Sequence, residues 1–158
     1  MTNETEQMVL VHDSDRCVSC RFCMIACSHK HFGVVDLSKS NIRIYFDLKT
    51  LRFEAIYCHH CDDPICMAVC PVDAIVKDEN TGIVRIQPAK CIGCRLCNMM
   101  CPLSVPWFDV NARISEKCNL CDGDPECVKF CPTYALQLVP REQAKKQLAI
   151  AYKVVAEG

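Results

Sequence analysis

The sequence lacks an excess of either charge, a long apolar segment and a recognisable secretion signal. Its 18 Lys and Arg residues nearly balance 19 Asp and Glu residues, so the basic surface typical of nucleic-acid binding is not expected. No apolar run approaches the ~20 residues of a transmembrane helix, and we expect no direct membrane span. Residues 1–16 contain neither an apolar signal-peptide core nor twin arginines, which favours a reducing, cytoplasmic location.

The motifs of common catalytic and nucleotide-binding sites are also missing. The chain contains no G-x-G-x-x-G after a predicted strand, no P-loop and no H-E-x-x-H. Nicotinamide, nucleoside triphosphate and hydrolytic zinc chemistry are therefore unsupported. We expect no catalytic residues in this chain, and any substrate conversion belongs to a partner.

Cysteine, in contrast, is abundant and regularly spaced. Groups one and three read C-x2-C-x2-C-x3-C, the spacing by which one loop offers three thiolates to a cubane iron-sulfur cluster while the fourth cysteine serves another cluster. Backbone N–H groups between these cysteines can point at the cluster and favour its negative charge. The 16 cysteines predict four [4Fe-4S] clusters. The four groups are Cys17, Cys20, Cys23 and Cys27; Cys58, Cys61, Cys66 and Cys70; Cys91, Cys94, Cys97 and Cys101; and Cys118, Cys121, Cys127 and Cys131.

The groups also repeat in pairs. Residues 16–27 align with residues 90–101, and residues 57–71 align with residues 117–132, so the chain is interpreted as a duplicated two-cluster unit. The spacer between the first two groups is longer than the spacer between the last two. This difference predicts an insertion in the first half.

Apolar segments on either side of polar turns predict two β-hairpins. Residues 42–46 and 51–55 alternate on either side of a turn, which makes the insertion a β-hairpin. Residues 74–77 and 83–86 flank the turn of a second hairpin. A further short strand is predicted over residues 134–139.

Two features concern helices. A proline follows the last cysteine of groups two, three and four, which suits the first turn of a short helix, whereas Ser28 follows Cys27 in group one.

The end of the chain is predicted to form a C-terminal helix, because apolar residues recur there at helical spacing, namely Leu148, Tyr152 and Val155. Its apolar stripe lies beyond the last cysteine group, and docking to a partner or packing on the core would both account for it.

Two other uses of the cysteines are weaker. Disulfide frameworks belong to secreted chains. Structural zinc sites join two C-x2-C pairs over a longer gap and do not need a third cysteine two residues on. Iron-sulfur chemistry is therefore favoured, and a zinc-stabilised interaction module is kept as an alternative function.

The motifs resemble known iron-sulfur proteins. The C-x2-C-x2-C-x3-C-P motif and the strand-turn-strand of residues 74–91 are similar to bacterial two-cluster ferredoxins. The four-group pattern is similar to the electron-transfer subunits of molybdenum- or tungsten-pterin oxidoreductases, such as dimethyl sulfoxide reductase, formate dehydrogenase, formate hydrogenlyase and tungsten aldehyde oxidoreductase. The resemblance implies an α+β, duplicated bacterial-ferredoxin-like fold, with short helices and β-hairpins around four cubane clusters. Residues 1–140 would form this domain, and residues 141–158 a C-terminal helical tail.

The resemblance also implies how the cysteines are shared. Groups two and three form an inner two-cluster unit, and groups one and four form an outer one. The last cysteine of each group then ligates the cluster of its paired group. The implied ligand sets are Cys58, Cys61, Cys66 and Cys101; Cys91, Cys94, Cys97 and Cys70; Cys17, Cys20, Cys23 and Cys131; and Cys118, Cys121, Cys127 and Cys27.

The function implied by the resemblance is electron transfer. The chain would relay single electrons between a large catalytic pterin-containing subunit, acting on an aldehyde, formate or a similar low-potential substrate, and a second redox subunit or a ferredoxin. A free polyferredoxin carrier is the alternative within the same chemistry. Copurification of a large subunit distinguishes the two.

Positive charges recur next to the cysteine groups. Arg16, Lys90 and Lys117 each precede a first cysteine, and Arg21 and Arg95 share one offset within groups one and three. Such charges can raise the potential of a nearby cluster or steer an acidic partner, or they can be ordinary solvated side chains.

Other residues near the cysteines are expected to support the clusters without ligating them. His59 and His60 lie inside group two, which already has four cysteines, so we expect them beside a cluster or at the surface. Trp107 is assigned a packing role, with electron transfer between clusters as the alternative. The methionines expected to pack around clusters are Met24, Met67, Met99 and Met100.

Overall fold

The computed structural model describes residues 7–145, which form a mixed α+β structure of short elements. None of the helices formed by these residues has the length and apolar character that a transmembrane segment needs. The elements are β1 (Met8–His12), α1 (Phe22–Phe32), β2 (Arg43–Asp47), β3 (Arg52–Ile56), α2 (Ile65–Ala68), β4 (Ile75–Lys77), β5 (Val84–Ile86), α3 (Leu96–Met100), β6 (Trp107–Asp109), β7 (Ile114–Glu116), α4 (Glu126–Lys129) and β8 (Leu136–Pro140).

The strands pair into four two-stranded antiparallel sheets. Three are hairpins of consecutive strands, β2–β3, β4–β5 and β6–β7. The fourth joins β1 to β8, with Met8 opposite Pro140 and His12 opposite Leu136. The two ends of the described chain are therefore held together by one sheet.

The sheets and helices associate the cysteine groups in two pairs. Strand β4 follows group two and β5 precedes group three, whereas β8 follows group four and β1 precedes group one. Helix α2 contacts α3, and α1 contacts α4. Groups two and three thus share one sheet and one helix pair, and groups one and four share the other.

The structure confirms the two predicted hairpins and the predicted strand before Pro140, but it corrects the interpretation of the insertion. A hairpin, β6–β7, also connects groups three and four, so a hairpin at this place is not peculiar to the first half. The extra residues of the first half lie mainly in the eleven-residue helix α1, in the segment that follows it, and in longer strands.

The prediction that the proline after each last cysteine begins a helix is wrong. Helices α2, α3 and α4 come before these prolines and carry the third cysteine of their groups, while the prolines lie in turns. Each turn contains a residue with positive φ, namely Asp73, Ser104 or Tyr134, which an α-helix does not accommodate. In group one Ser28 replaces the proline, so α1 can continue through Cys27 to Phe32.

The core is small and includes cysteines. Leu10, Leu120 and Leu136 are each 2% exposed, and they pack with Cys23, Cys27 and Cys127 in one apolar cluster. Among the methionines predicted to surround clusters, Met24 is buried but Met99 is 75% exposed, so that prediction is wrong for Met99.

The chain continues past β8 into helical residues 141–145. The side chain of Ala144 is fully buried in an apolar cluster with Val9 and Val11. This turn therefore packs against the β1–β8 sheet. The predicted apolar stripe of Leu148, Tyr152 and Val155 lies outside the described residues.

Candidate metal-cluster sites

The cysteines surround separate cavities, and each cavity combines residues from two sequence groups. Three cavities are lined by four cysteines apiece. We number the thiol sets by their position along the molecule. Set I is Cys17, Cys20, Cys23 and Cys131; set III is Cys58, Cys61, Cys66 and Cys101; and set IV is Cys91, Cys94, Cys97 and Cys70.

The remaining four cysteines, Cys118, Cys121, Cys127 and Cys27, are called set II. Burial raises the pKa of Cys127, and its neighbours Cys118, Cys27 and Cys121 raise it further, so their thiols lie close together. Burial likewise raises the pKa of Cys118 to about 12. Helices α1 and α4, which carry Cys27 and Cys127, pack against each other and bring this set together.

The three cavities are open to solvent. With their mouths included they enclose about 300 Å³ for set I, 430 Å³ for set III and 310 Å³ for set IV. Within residues 7–145, no three His, Cys, Asp or Glu side chains converge on a single-ion site.

Each cysteine loop turns through a left-handed residue at the same place. The third position of the four groups is Ser19, His60, Gly93 and Leu120, with φ values of 55°, 47°, 70° and 54°. This conformation turns the backbone N–H back toward the first cysteine of the loop. The N–H of His60 donates to Cys58 Sγ at 3.5 Å, and that of Leu120 donates to Cys118 Sγ at 3.4 Å.

Other backbone N–H groups donate to thiols from outside the loops. Asn41 N–H donates to Cys27 Sγ and Ala74 N–H donates to Cys70 Sγ, both at 3.3 Å. Hydrogen bonds of this kind favour the thiolate form and a negatively charged group beside it. The donor set therefore fits an anionic cluster held by thiolates.

Gly93 shows why one of these loops requires glycine. A Cβ atom there would lie against the carbonyl oxygen of Arg113 and 2.9 Å from the Phe108 ring. Ser19, at the same position of group one, has a side chain and a similar φ. The close approach of the β6–β7 hairpin, and not the left-handed conformation alone, therefore explains the glycine.

Burial raises the pKa of seven of these thiols and makes them harder to ionise without a metal. Burial raises the pKa of Cys23 to about 12 and that of Cys66 to about 11. The pKa of Cys131 is lowered instead: burial raises it, but the N–H of Leu136 and the hydroxyl of Thr133 lower it more. Since metal ligation requires the thiolate, cluster binding must displace these protons.

The four sets follow one another along the molecule. Cys23 of set I lies close enough to Cys127 of set II to affect its pKa, after burial and the nearer thiols of set II. Cys58 of set III has the largest effect on the pKa of Cys118 of set II, after burial, so these two thiols also lie close together. Cys66 and Cys70, from sets III and IV, pack in one apolar cluster. The order is I, II, III, IV, and the exposed cysteines Cys20 and Cys94 belong to the two end sets.

The three cations that precede first cysteines differ in their surroundings. Arg16 forms an ion pair with Asp13 at 3.4 Å, and its side chain is 56% exposed. Lys90 is exposed as well. Lys117 is only 5% exposed, and its Nζ donates to the carbonyl oxygens of Val84 and Cys118. Lys117 is therefore not an ordinary solvated charge, and its effect on a cluster stays a prediction, whereas Arg16 and Lys90 are surface charges.

The two histidines of group two are buried. His59 packs on Tyr57, with ring centroids 5.1 Å apart. Burial lowers the pKa of His59 to about 4, helped by the Arg141 charge, and burial holds the pKa of His60 well below its usual value. Both residues line the cavity of set III and are buried, so the expectation of a surface position is wrong, while a position beside a cluster stays a prediction.

Two residues at these sites escaped the sequence analysis. Ser115 is 2% exposed, and its N–H donates to Cys91 Sγ at 3.4 Å, while its hydroxyl bonds to Cys97. Arg141 is 9% exposed and donates to the carbonyl oxygens of His59 and His60. Neither residue belongs to a cysteine motif, and no sequence signal marks them.

Comparison with known proteins agrees with this geometry. Residues 49–141 and residues 16–74 each match the family described as a 4Fe-4S dicluster domain. The thiosulfate reductase electron transfer subunit PhsB of Salmonella typhi is 32% identical over 98% of this chain and 87% of its own length.

Two further relatives differ in length. The polyferredoxin-like subunit of an aliphatic sulfonate oxidoreductase from Pyrococcus furiosus is 31% identical over 99% of both chains. The subunit beta of an NADH-dependent phenylglyoxylate dehydrogenase from Aromatoleum evansii is 35% identical, but this chain spans only 29% of its length. The chain therefore belongs to the 4Fe-4S dicluster domain family, and its relatives include electron-transfer subunits of oxidoreductases.

Proposed function

We propose that this chain is an electron-transfer subunit that holds four [4Fe-4S] clusters, one on each of thiol sets I to IV. Each bound cluster supplies one-electron redox chemistry. The fold is then a duplicated bacterial-ferredoxin-like unit, with sets III and IV sharing the β4–β5 sheet and sets I and II sharing the β1–β8 sheet. The exchange of Cys27, Cys70, Cys101 and Cys131 between paired groups supports this ligation.

The observation that carries the proposal is the order of the four sets between two exposed ends. Cys20 and Cys94 are exposed, while the other cysteines are buried or partly buried. An electron can therefore enter near one end, cross the apolar interior and leave near the other. The chain's own contribution is to bind the thiolate ligands, exclude water and orient backbone N–H groups at sulfur.

Exposed apolar side chains near both ends support docking of protein partners. Close to Cys94 in the chain, Ile92 is 62% and Met99 75% exposed. Close to Cys20, Val18 is 62% and Phe22 51% exposed. Apolar side chains of this kind are common at protein interfaces. Two such surfaces suit a relay between two partners better than a free polyferredoxin carrier.

We infer that one partner is a large catalytic subunit with a molybdenum- or tungsten-pterin cofactor and that the other is a second redox subunit or a ferredoxin. The similarity to electron-transfer and polyferredoxin-like subunits of oxidoreductases supports this assignment. An aldehyde or formate is the candidate substrate of the catalytic partner. The names of these relatives add thiosulfate and aliphatic sulfonates to the candidates.

Residues 1–140 would form the cluster-binding domain, and residues 141–158 a tail that contributes to docking. The helical turn at residues 141–145 packs on the domain through Ala144, which lies in one apolar cluster with Val9 and Val11. Removal of residues 146–158 tests this role. It should leave the iron content unchanged and weaken binding of the catalytic subunit. Loss of iron, or unchanged binding, would contradict docking by the tail.

The proposal is tested by anaerobic purification of the untagged protein from its native cells, with analysis of iron, sulfide and zinc. We expect about sixteen iron and sixteen sulfide per chain, four of each per cubane, and copurification of a larger subunit. Stoichiometric zinc without sulfide would contradict the electron-transfer function and support a zinc-stabilised interaction module. Full iron content in a chain that never copurifies with a partner would favour a free carrier.

A further inference from the structure

We propose that set III holds the centre of highest reduction potential in the relay, because Lys117 and His60 favour the reduced, more negative state of a group bound there. The inference rests on the proposed function, since it needs a cluster on each thiol set. Lys117 and His60 act as positioning and tuning residues and ligate nothing.

Lys117 brings a buried positive charge to this set. Its Nζ donates to the carbonyl oxygen of Val84, which lines the cavity of set III, and to that of Cys118 at 2.9 Å. None of the ion pairs formed among residues 7–145 includes Lys117. A buried charge without a counter-charge is strongly unfavourable. Thiolates and the group that they bind are the anions available to compensate it.

His60 brings a hydrogen-bond donor. Its Nδ1 accepts the N–H of Val84 at 3.0 Å, so in the neutral ring the proton is on Nε2. The residue is 1% exposed and lines the cavity of set III. Nε2 has no hydrogen-bond partner among residues 7–145. A buried donor without an acceptor is rare in native proteins, and a sulfur of a bound cluster would satisfy this one.

Arg141 adds to the positive surroundings of the same loop. Its guanidinium donates to the carbonyl oxygens of His59 and His60. Its exposed ion-pair partner Asp62 lies 3.3 Å away and compensates part of that charge. Lys117, which is deeply buried and has no such partner, therefore carries the larger effect on set III.

Set I has charges of both signs around it, but its cation is not buried: Arg21 lines the cavity and is exposed to solvent, which screens its charge. The thiol of Cys17 is influenced by the carboxylate of Glu54, in addition to burial and neighbouring thiols. Glu54 lies 3.8 Å from His12, which lines the cavity of set I. Reduction adds negative charge, so a carboxylate opposes it and a cation assists it. The potential of set III is therefore expected to lie above that of set I.

The test is a redox titration of the iron-loaded protein, followed by electron paramagnetic resonance, on Lys117→Met and Lys90→Met. Lys90 precedes group three as Lys117 precedes group four, but it is exposed. Lys117→Met should lower the highest reduction potential. At a fixed applied potential the reduced-to-oxidised ratio of that centre should fall about tenfold, which corresponds to a shift of 59 mV for one electron. Lys90→Met should leave that potential unchanged.

The identity of the affected centre is checked with Cys66→Ser, which should alter the spectrum of the highest-potential centre. If another centre has the highest potential, or if Lys117→Met retains its iron and shifts nothing, the inference is overturned. Lys117→Arg, which keeps the charge, should retain the potential.

His60→Asn provides an independent measurement if Lys117→Met fails to load. The side-chain oxygen of Asn can accept the Val84 N–H, but Asn is too short to replace Nε2–H as a donor. The reduction potential of the set III centre should therefore fall, and the signal of an exchangeable proton coupled to this cluster should disappear from its spectrum. An unchanged potential and an unchanged coupling would overturn the role of His60. Wild-type protein with far fewer than sixteen iron atoms would instead contradict the proposed function itself.

Discussion

The indole Nε1–H of Trp107 donates a hydrogen bond to the side-chain oxygen of Asn41, 2.7 Å away and 66 residues earlier in the chain. The backbone N–H of Asn41 in turn donates to Cys27 Sγ. Trp107 also packs on Phe32 of α1, with ring centroids 5.9 Å apart. One side chain of the β6–β7 hairpin thus holds the loop that supports a thiol of set II.

Replacing Trp107 by Phe should destabilise the protein by about 1–3 kcal/mol, because the side-chain oxygen of the buried Asn41 loses its donor. Phe keeps an aromatic contact with Phe32, so the substitution mainly removes the hydrogen bond. Anaerobic urea denaturation followed by circular dichroism measures the change, since Trp107 is the only tryptophan and its fluorescence is lost. Wild-type stability in this variant would show that the hydrogen bond contributes little.

The crossed ligand sets predict the effects of two matched cysteine substitutions. Cys101→Ala should perturb the cluster of set III, although Cys101 is a sequence neighbour of the set IV cysteines. Cys70→Ala should perturb the cluster of set IV. Electron paramagnetic resonance and iron analysis of the two variants distinguish the clusters, and the crossed assignment fails if each substitution affects the set of its own sequence group.

Gly93→Ala and Gly33→Ala separate conformational strain from steric overlap. Both glycines have positive φ, but a Cβ at Gly33 meets nothing within 4 Å, whereas one at Gly93 overlaps Arg113 and Phe108. Gly33→Ala should cost about 1 kcal/mol, the price of the left-handed conformation. Gly93→Ala should cost about 3 kcal/mol, because overpacking adds to it. Equal losses in urea denaturation would contradict the close contact.

Two arginine-aspartate pairs offer a further comparison. Arg141→Ala removes the guanidinium donor of the carbonyl oxygens of His59 and His60 and should cost about 3 kcal/mol. Arg52→Ala removes an ion pair with Asp15 whose side chains are 51% and 68% exposed, and it should cost less than about 1 kcal/mol. Loss of the visible absorbance of the iron-sulfur clusters in urea measures the change. The urea concentration at which half of this absorbance is lost should fall much further for Arg141→Ala than for Arg52→Ala. Similar midpoints for both would exclude a structural role of Arg141 at set III.

The local parts of the fold could be predicted from the sequence because they depend on local patterns. Strands β2 and β3 show alternating apolar residues on either side of a polar turn. Strands β4 and β5 have only three residues each, and they are recognisable from the apolar residues that flank the polar turn of residues 78–82. The β6–β7 hairpin has equally short strands, and it escaped the sequence analysis. Its turn does carry a signal, since Asp109 Oδ1 accepts the N–H groups of Asn111 and Ala112.

The pairing of β1 with β8 could not be predicted, because no local pattern specifies a partner more than a hundred residues away. The same reason applies to the supporting residues of the sites. The cysteines are recognisable because ligand spacing is a local property. The burial of Lys117 and the contacts of Ser115 and Arg141 depend on segments that meet only in the folded chain. Occupation of the sets by clusters stays a prediction.

The β1–β8 sheet has a consequence for biosynthesis. All the thiols of sets III and IV lie between Cys58 and Cys101, so they can gather while the rest of the chain is still on the ribosome. Sets I and II both contain cysteines from groups one and four, so set II is complete only after Cys127 has emerged and set I only after Cys131 has emerged. Cys17, Cys20 and Cys23 therefore spend most of translation without their fourth partner, and the group of cysteines that is made first is completed last.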